Sequence, residues 1–532
     1  MTEGSLQRSS GLMALGTIAS RATGFVRLAA VAGALGLSRV ADPYNVGNTL
    51  PNIVYELLLG GILTSVVVRP LVQAAKEDDD DGEAFAQALL TFVVGALAVA
   101  VILGEALAPW IVRAYGSRLD GDQVRLATAL LRLFLPQVLF YGAGATMGAI
   151  LNARGRFGAP MAVPVLNNVV VVVALGIFVL LPGPRPPSPD GMTRAQFLVL
   201  GLGTTAGIVA QTVALVPFLR RAGFRFRPRR IDRGRLRALA RLGGWVLTYV
   251  IANQVGYLVI VRLATGAAVE GGYTAYTYAF QLFSLPHAIV AVSVITALGP
   301  AISGHAVAGD LARVRTELSN GLRLIAVVLV PAAVGLVVLA RPVAVAALAH
   351  GALSQEQGEF IGRVLVAFAC GLLPFSAFQL LTRVFYWLQD SRTPAVVNIA
   401  VNAVNVGADV VLAVALHGSA RIVAMAAGYA LSYVVGAVVL GHLLRARLGG
   451  LDGRRITRTT VRALVAAAIA GLGAYGVEAL VRKTVGAGLR GSLLAVLLAT
   501  AAGGALYVVS ARRMRLAEVE SVVGLVRGRL RR

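Results

Sequence analysis

Apolar runs of about twenty residues or more, each closed by charge, glycine or proline, follow one another along almost the whole of this 532-residue chain. Wound as a helix that rises 1.5 Å per residue, a run of that length crosses the hydrocarbon core of a bilayer. Read in order, the runs give fourteen spans: 11–36, 43–73, 84–114, 123–153, 159–182, 194–219, 238–264, 273–302, 318–349, 359–388, 394–416, 421–444, 459–481 and 488–511. Two of them, 123–153 and 359–388, carry internal charges and are the least regular. A composition of 57% hydrophobic and 14% charged residues, with a mean hydropathy of +0.77, agrees with a polytopic all-α membrane protein. Sixty glycines suit helices that pack closely through small side chains.

The charge is +24, which in a soluble chain would point to nucleic acid. Here the arginines gather in alternate loops between apolar runs, a pattern that sets topology and argues against a nucleic-acid partner. The loop 220–241 holds ten arginines and one acid, the loop 445–462 six arginines, and the tail 512–532 seven. The loops 265–272 and 350–358 hold no lysine or arginine. With fourteen spans the three basic segments share one side, so both termini are expected to face the cytoplasm. The acidic run "KEDDDDGE" (76–83) falls on the same side and reads as a solvated loop. The opening "MTEGSLQRSSGLMALG" does not read as a cleavable signal peptide, and "MRLAEVESVVGLVRGRLRR" at the other end reads as a basic amphipathic surface helix.

Several features recur at one spacing. Leu50-Pro51-Asn52 matches Leu285-Pro286-His287 at a lag of 235, "VRLAA" (26–30) matches "VRLAT" (261–265) at 235, and Pro160 and Asn168 match Pro394 and Asn402 at 234. The chain therefore reads as two duplicated six-span halves. Six being even, they share one topology, a transporter architecture with the substrate site between the halves. The expected divisions are 1–222 for the first lobe, 223–448 for the basic linker and second lobe, and 449–532 for two further spans and the tail.

Polar groups inside the spans carry the functional reading. Arg21 and Arg27 lie in the first span with no acid beside them, at an insertion cost of roughly 2.5–3.5 kcal/mol each. Six residues set them about 9 Å apart along the helix and about 120° around it, so they line two walls rather than chelate one small ion. The guanidinium fork stays charged and binds phosphate oxygens in pairs, which points to an anionic cargo, a phosphate or pyrophosphate. Snorkelling to a surface is the second reading for Arg27, and for Arg262 near the end of the seventh span. Asp42 either caps the second span or faces a cavity. Pro51 and Pro286 remove backbone donors mid-span and mark hinges, while Asn52 and His287 re-satisfy that backbone or face a cavity. Glu56 is an intramembrane acid suited to ion coupling or a salt bridge, and Gln281, Asn167, Asn168, Asn402 and Asp409 are polar positions in apolar runs. Catalysis finds no support. The five histidines show no metal-ligand spacing, no Walker A sequence is present, and the lone Cys370 reads as a small core hydrophobe.

The stretch Ser20-Arg21-Ala22-Thr23-Gly24-Phe25-Val26-Arg27 resembles the first-span pattern of the MurJ (MviN) family of lipid II flippases, within the multidrug/oligosaccharidyl-lipid/polysaccharide exporter superfamily. Asp42-Pro43-Tyr44 followed by Leu50-Pro51-Asn52 resembles the second-span pattern, and "GAILNARGRFGAP" and "FYWLQDSRTP" look like its two cytoplasmic turns. "LPNIVYELLLGG" and the lysine-poor composition resemble the actinobacterial branch. The resemblance implies two six-helix lobes around a central cationic cavity, with the last two spans forming a groove for a polyprenyl tail. It implies a cargo of undecaprenyl-pyrophosphate-linked peptidoglycan precursor, with Arg21 and Arg27 on the pyrophosphate and Ser20, Asp42 and Asn52 in support. Where the family carries further residues of this set, the chain has Leu28 for an acid and Tyr55 and Gln281 for arginines; Arg262 is placed by the repeat to compensate. No cofactor is expected, and the energy source is expected to be the membrane potential or a monovalent ion. A related lipid-linked oligosaccharide flippase, a cation-coupled exporter and a non-transporting scaffold for cell-wall synthesis proteins are the rival readings. The unpaired arginines weigh against the last two.

Overall fold

The computed structural model describes residues 3–57, 68–516 and 518–520, and all regular structure among them is helical. The first nine helices are α1 (Glu3–Leu35), α2 (Ala41–Leu57), α3 (Val68–Glu77), α4 (Glu83–Tyr115), α5 (Gly121–Phe134), α6 (Pro136–Ala153), α7 (Gly158–Leu180), α8 (Arg194–Val213) and α9 (Val216–Arg221). They are followed by α10 (Arg233–Thr265), α11 (Gly272–Pro286), α12 (Val292–Val307), α13 (Leu311–Leu348), α14 (Gln355–Ala369) and α15 (Leu372–Trp387). The chain closes with α16 (Arg392–Ala415), α17 (Gly418–Arg447), α18 (Gly453–Thr484) and α19 (Leu489–Arg513).

Ten helices or joined helix pairs among the described residues are long and apolar enough to cross a membrane, or eleven if α14 and α15, bent by 50° at their junction, form one span. The expected fourteen is not reached on length and hydropathy. The three remaining expected spans, 11–36, 43–73 and 238–264, each include residues that lie outside the described ones or whose side chains do.

The chain divides into two compact units, one of Met1–Gln254 with Gly351–Leu353, the other of Val255–His350 with Ser354–Arg532. In the first, α1 lies along α7, α7 on α8, α2 across α5, and α4 on α6. Leu71, Phe85, Leu89, Tyr141 and Ile150 form a core there. Asp120 and Thr193 start α5 and α8 with capping boxes, each side chain accepting from the backbone N–H three residues on while Gln123 and Gln196 reach back.

The break between α5 and α6 sits at Leu135, because Pro136 has no N–H to continue the ladder. Threonines of α8 bond to the backbone on either side of this break. The Thr205 hydroxyl donates to the Leu133 carbonyl at 2.7 Å and that of Thr212 to the Phe140 carbonyl at 3.0 Å. In the second unit the corresponding break falls at Cys370, a lag of 235 again. Gly371 brings it onto α17, where a Cβ would stand 2.9 Å from Ala430. Cys370 is exposed at this bend, not a core residue as its apolar neighbours imply, because the turn directs it outward.

Aromatic rings fill the second unit. Phe283 stacks on Phe368 at 5.4 Å, and Phe280, Phe375, Tyr429 and Tyr433 close around them from α11, α15 and α17. Helices α18 and α19 pack together and on α13 through alanines such as Ala326, Ala463, Ala467 and Ala511, with the Tyr507 hydroxyl donating to the Val327 carbonyl at 2.6 Å.

Glycine is required at Gly36 and Gly351. Both have positive φ, 59° and 61°, and a Cβ would stand 2.5 Å from the Ala352 carbonyl oxygen and 2.3 Å from that of Gly33. Between them the Ala352 N–H donates to the Gly33 carbonyl at 2.7 Å, within the first unit. Gly36→Ala is expected to cost about 2 kcal/mol or more, from the left-handed backbone and the clash. Gly95→Ala in α4, where a Cβ meets nothing within 4 Å, is expected to be neutral or to stabilise. Thermal melting of the purified variants in detergent checks the contrast.

Candidate functional site

Helix α1 is long enough that position along it settles what its arginines can reach. Arg21 and Arg27 lie about 21 and about 12 Å before its last residue, Leu35. Arg21 is exposed and Arg27 half-buried on the first unit, and neither makes a hydrogen bond or ion pair among the described residues. The α1 backbone between them is fixed from α7. The Asn168 amide donates to the Ser20 carbonyl at 3.3 Å and to the Thr23 hydroxyl at 3.0 Å, over Gly24. Asn168 is thus interhelical glue that sets the azimuth of the arginine pair. Leu28 is buried, so the residue after Arg27 serves packing rather than charge.

On α2, Asp42 is buried in the first turn, where a carboxylate favours the helix N-terminus. It makes an interaction there. Pro51 is buried and the helix runs on through it, while Asn52 is exposed. The side chains of Tyr55 and Glu56 lie outside the described residues. In the second unit Arg262 is exposed in the last turn of α10, and Gln281 is exposed on α11. The hinge expected at Pro286 takes a defined form, a π turn over His287–Ala291 that closes when the Val292 N–H reaches the His287 carbonyl. His287 is anchored beside it, its Nδ1 at 2.9 Å from the Ser376 hydroxyl and its ring on Phe375 at 4.5 Å.

One residue and one segment named from the sequence have surroundings that the sequence does not reveal. Asp409 of α16 is fully buried, faces Gly428 of α17, and has no hydrogen-bond partner on either oxygen among the described residues. A buried carboxylate in that state is neutralised by a proton or a small cation. The other is the acidic run 76–83, which is a clamp rather than a free loop. Asp78 takes a bidentate pair from Arg235 at 2.7 and 2.8 Å, and the same guanidinium lies over the Phe85 ring at 5.0 Å. The Gln87 amide donates to the Arg225 carbonyl at 2.6 Å, so the basic linker is strapped along the start of α4. Hydrogen bonding from Arg235 holds the Asp78 carboxyl below its ordinary range. A depressed carboxylate contributes fully above its unfolded pKa and loses the contribution as pH falls through the folded one, so the clamp is complete at neutral pH.

The family model of the lipid II flippase MurJ matches residues 31–496. The chain belongs to the MurJ family. A curated relative, the lipid II flippase MurJ of Burkholderia cenocepacia, is 28% identical over 394 residues, 72% of this chain and 74% of the relative. Among solved structures, a lipid II flippase MurJ in an inward closed conformation superposes with a TM-score of 0.76 at 17% identity, covering 94% of this chain and 99% of that one. An inward-facing multidrug resistance MATE family transporter of the MOP superfamily gives 0.66 at 15%, covering 82% and 96%. The MurJ fold is therefore shared, and this MurJ-family chain is a multi-span helical membrane transporter, not an enzyme. The matched range begins after Arg27, so the arginine pair rests on its own physical argument.

The clamp is open to a direct check. Asp78→Asn is expected to speed tryptic cleavage within 225–237 at pH 8 by about twofold to fivefold, the scale of an exposed ion pair. Equal cleavage time courses would show that the pair does not hold the linker.

Proposed function

We propose that the chain moves lipid II, the undecaprenyl-pyrophosphate-linked peptidoglycan precursor, from the cytoplasmic to the outer leaflet of the bacterial cell membrane by alternating access of two lobes. The match to the lipid II flippase family along residues 31–496 carries this reading. Both termini lie in the cytoplasm, on the side of the arginine-rich loops. Arg21 and Arg27 receive the pyrophosphate, with Ser20, Asp42 and Asn52 around it and Arg262 and Gln281 on the second lobe. What supports the assignment is chemical: two guanidiniums without partners far from the helix end are stabilised when a doubly charged anion arrives.

In labelled lipid II flipping by proteoliposomes, Arg21→Ala and Arg27→Ala are each expected to lower the rate by about tenfold or more, and Arg262→Ala by less. Equal rates in all variants and the parent would remove the pyrophosphate site. Transport of another polyprenyl-linked oligosaccharide in place of lipid II would replace the cargo but keep the site.

Energy is supplied by the membrane potential, worth about 2.3 kcal/mol per charge per 100 mV, or by a monovalent cation or proton at Asp409. The isolated buried carboxylate favours the second. Asp409→Asn is expected to leave the protein folded and to abolish the response of flipping to an imposed ion or proton gradient. A gradient response that survives the substitution assigns coupling to the potential alone.

A further inference from the structure

The second unit holds a cavity of about 330 Å³ between the α12 and α15 faces, below the π turn. Gln379, Arg383 and Trp387 follow at i, i+4 and i+8 on α15, opposite Thr296 and Gly299 of α12, with His287 at the inner end. Measured from Trp387, the stripe runs inward about 6 Å to Arg383 and about 12 Å to Gln379. A Cβ at Gly299 would meet the Trp387 ring at 3.2 Å, so the indole packs closely against α12 at one wall. Arg383 has no hydrogen bond or ion pair among the described residues, and no acid lines the cavity.

A span face turned to lipid is apolar. Snorkelling would account for Arg383 alone and leaves Gln379 without reason; the Thr296 hydroxyl donates to the Val292 carbonyl at 2.7 Å and keeps its lone pair towards the cavity. The volume lies at the small end of ligand pockets and far exceeds one water. A lone guanidinium, an amide, a hydroxyl and an indole on one wall make a set that binds a charged sugar: the cation takes the anion, the amide and hydroxyl take ring substituents, and the indole covers the apolar face of the ring.

We propose that this groove is a binding subsite for a sugar-phosphate headgroup, with Arg383 holding the phosphate and Trp387 stacking on the sugar. The proposal deepens the flippase reading and rests on it for the origin of the headgroup, since α12 and α15 both end on the side assigned to the cytoplasm. It adds a second contact region, in the second lobe, to the pyrophosphate site on α1.

The test uses full-length protein in detergent with Trp110 and Trp245 replaced by phenylalanine, so that Trp387 alone reports. N-acetylglucosamine 1-phosphate is expected to change its emission saturably, with affinity about tenfold weaker in Arg383→Gln and partly restored in Arg383→Lys. Neutral N-acetylglucosamine is expected to bind about tenfold more weakly than its phosphate. Unchanged melting temperatures establish that each variant is folded. No saturable response in the parent, or equal responses in Arg383→Gln, would overturn the subsite. Saturation by phosphatidylglycerol nanodiscs that leaves no response to the sugar phosphate would assign the groove to a lipid phosphate instead and also overturn it. Binding here without lipid II flipping would retire the flippase cargo and keep the subsite, whereas flipping without binding would do the reverse.

Discussion

In hydrocarbon a polar group without a partner has no water to fall back on, and this constraint decides how every irregularity in the bundle is built. Helices break at Leu135, at Pro286 and at Cys370, and each break is handled by a different local device. Threonines of α8 bond to the backbone beside the first, a π turn re-closes the ladder after the second, and a glycine lets α17 cover the third. Breaks of this kind are places where a helix bends at low cost, so the same devices that satisfy the backbone also provide hinges.

The two halves reuse one plan with different fittings. Asn168 bridges α7 to α1 through two hydrogen bonds, whereas Asn402, its counterpart, bonds back to the Asn398 carbonyl at 2.9 Å and packs its oxygen on Gly256 of α10. Pro51 sits in a continuous helix, while Pro286 is followed by a π turn held by His287, Ser376 and Phe375. The second unit thus joins its hinge to a stacked aromatic core, and displacement of α11 has to be shared by the rings packed on it. Bending is therefore not free in that half; it is coupled to α14, α15 and α17.

Spans, their approximate limits and the duplication are legible because hydropathy and a constant lag are properties of the linear chain. The irregular spans 123–153 and 359–388 are two of the three that are interrupted, although their internal charges do not mark where the interruption falls. The form of the breaks is not legible: Pro51 and Pro286 have the same local signature and different outcomes, set by neighbours far away in sequence. The clamp hides for the same reason, since Asp78 and Arg235 are 157 residues apart and only the fold joins them. Arg21 and Arg27 stand out at once because charge in an apolar run needs no partner to be noticed, while the isolation of Asp409 among several polar span residues is visible only from burial on all sides.

Charge satisfaction distinguishes the arginines that close the fold from those left bare inside the spans. Among the described residues, every ion pair uses arginine, and the pairs cluster at helix ends: Arg39 with Asp120, Arg235 with Asp78, Arg447 with Asp390 at 2.7 Å. Each of those guanidiniums brings its counter-ion within the chain and needs nothing further. Arg21, Arg27 and Arg383 are held on helices that fix their direction but supply no acid. Bare guanidiniums at these positions keep a positive field that an incoming anion discharges. Once bound, that anion meets guanidiniums whose helices are already ordered, and the binding free energy is spent little on arranging the site. The same bareness sets a limit on affinity, because a cargo held too tightly by fixed cations would not leave on the far side; two wall-like arginines 9 Å apart, rather than a closed chelate, are suited to hold and release.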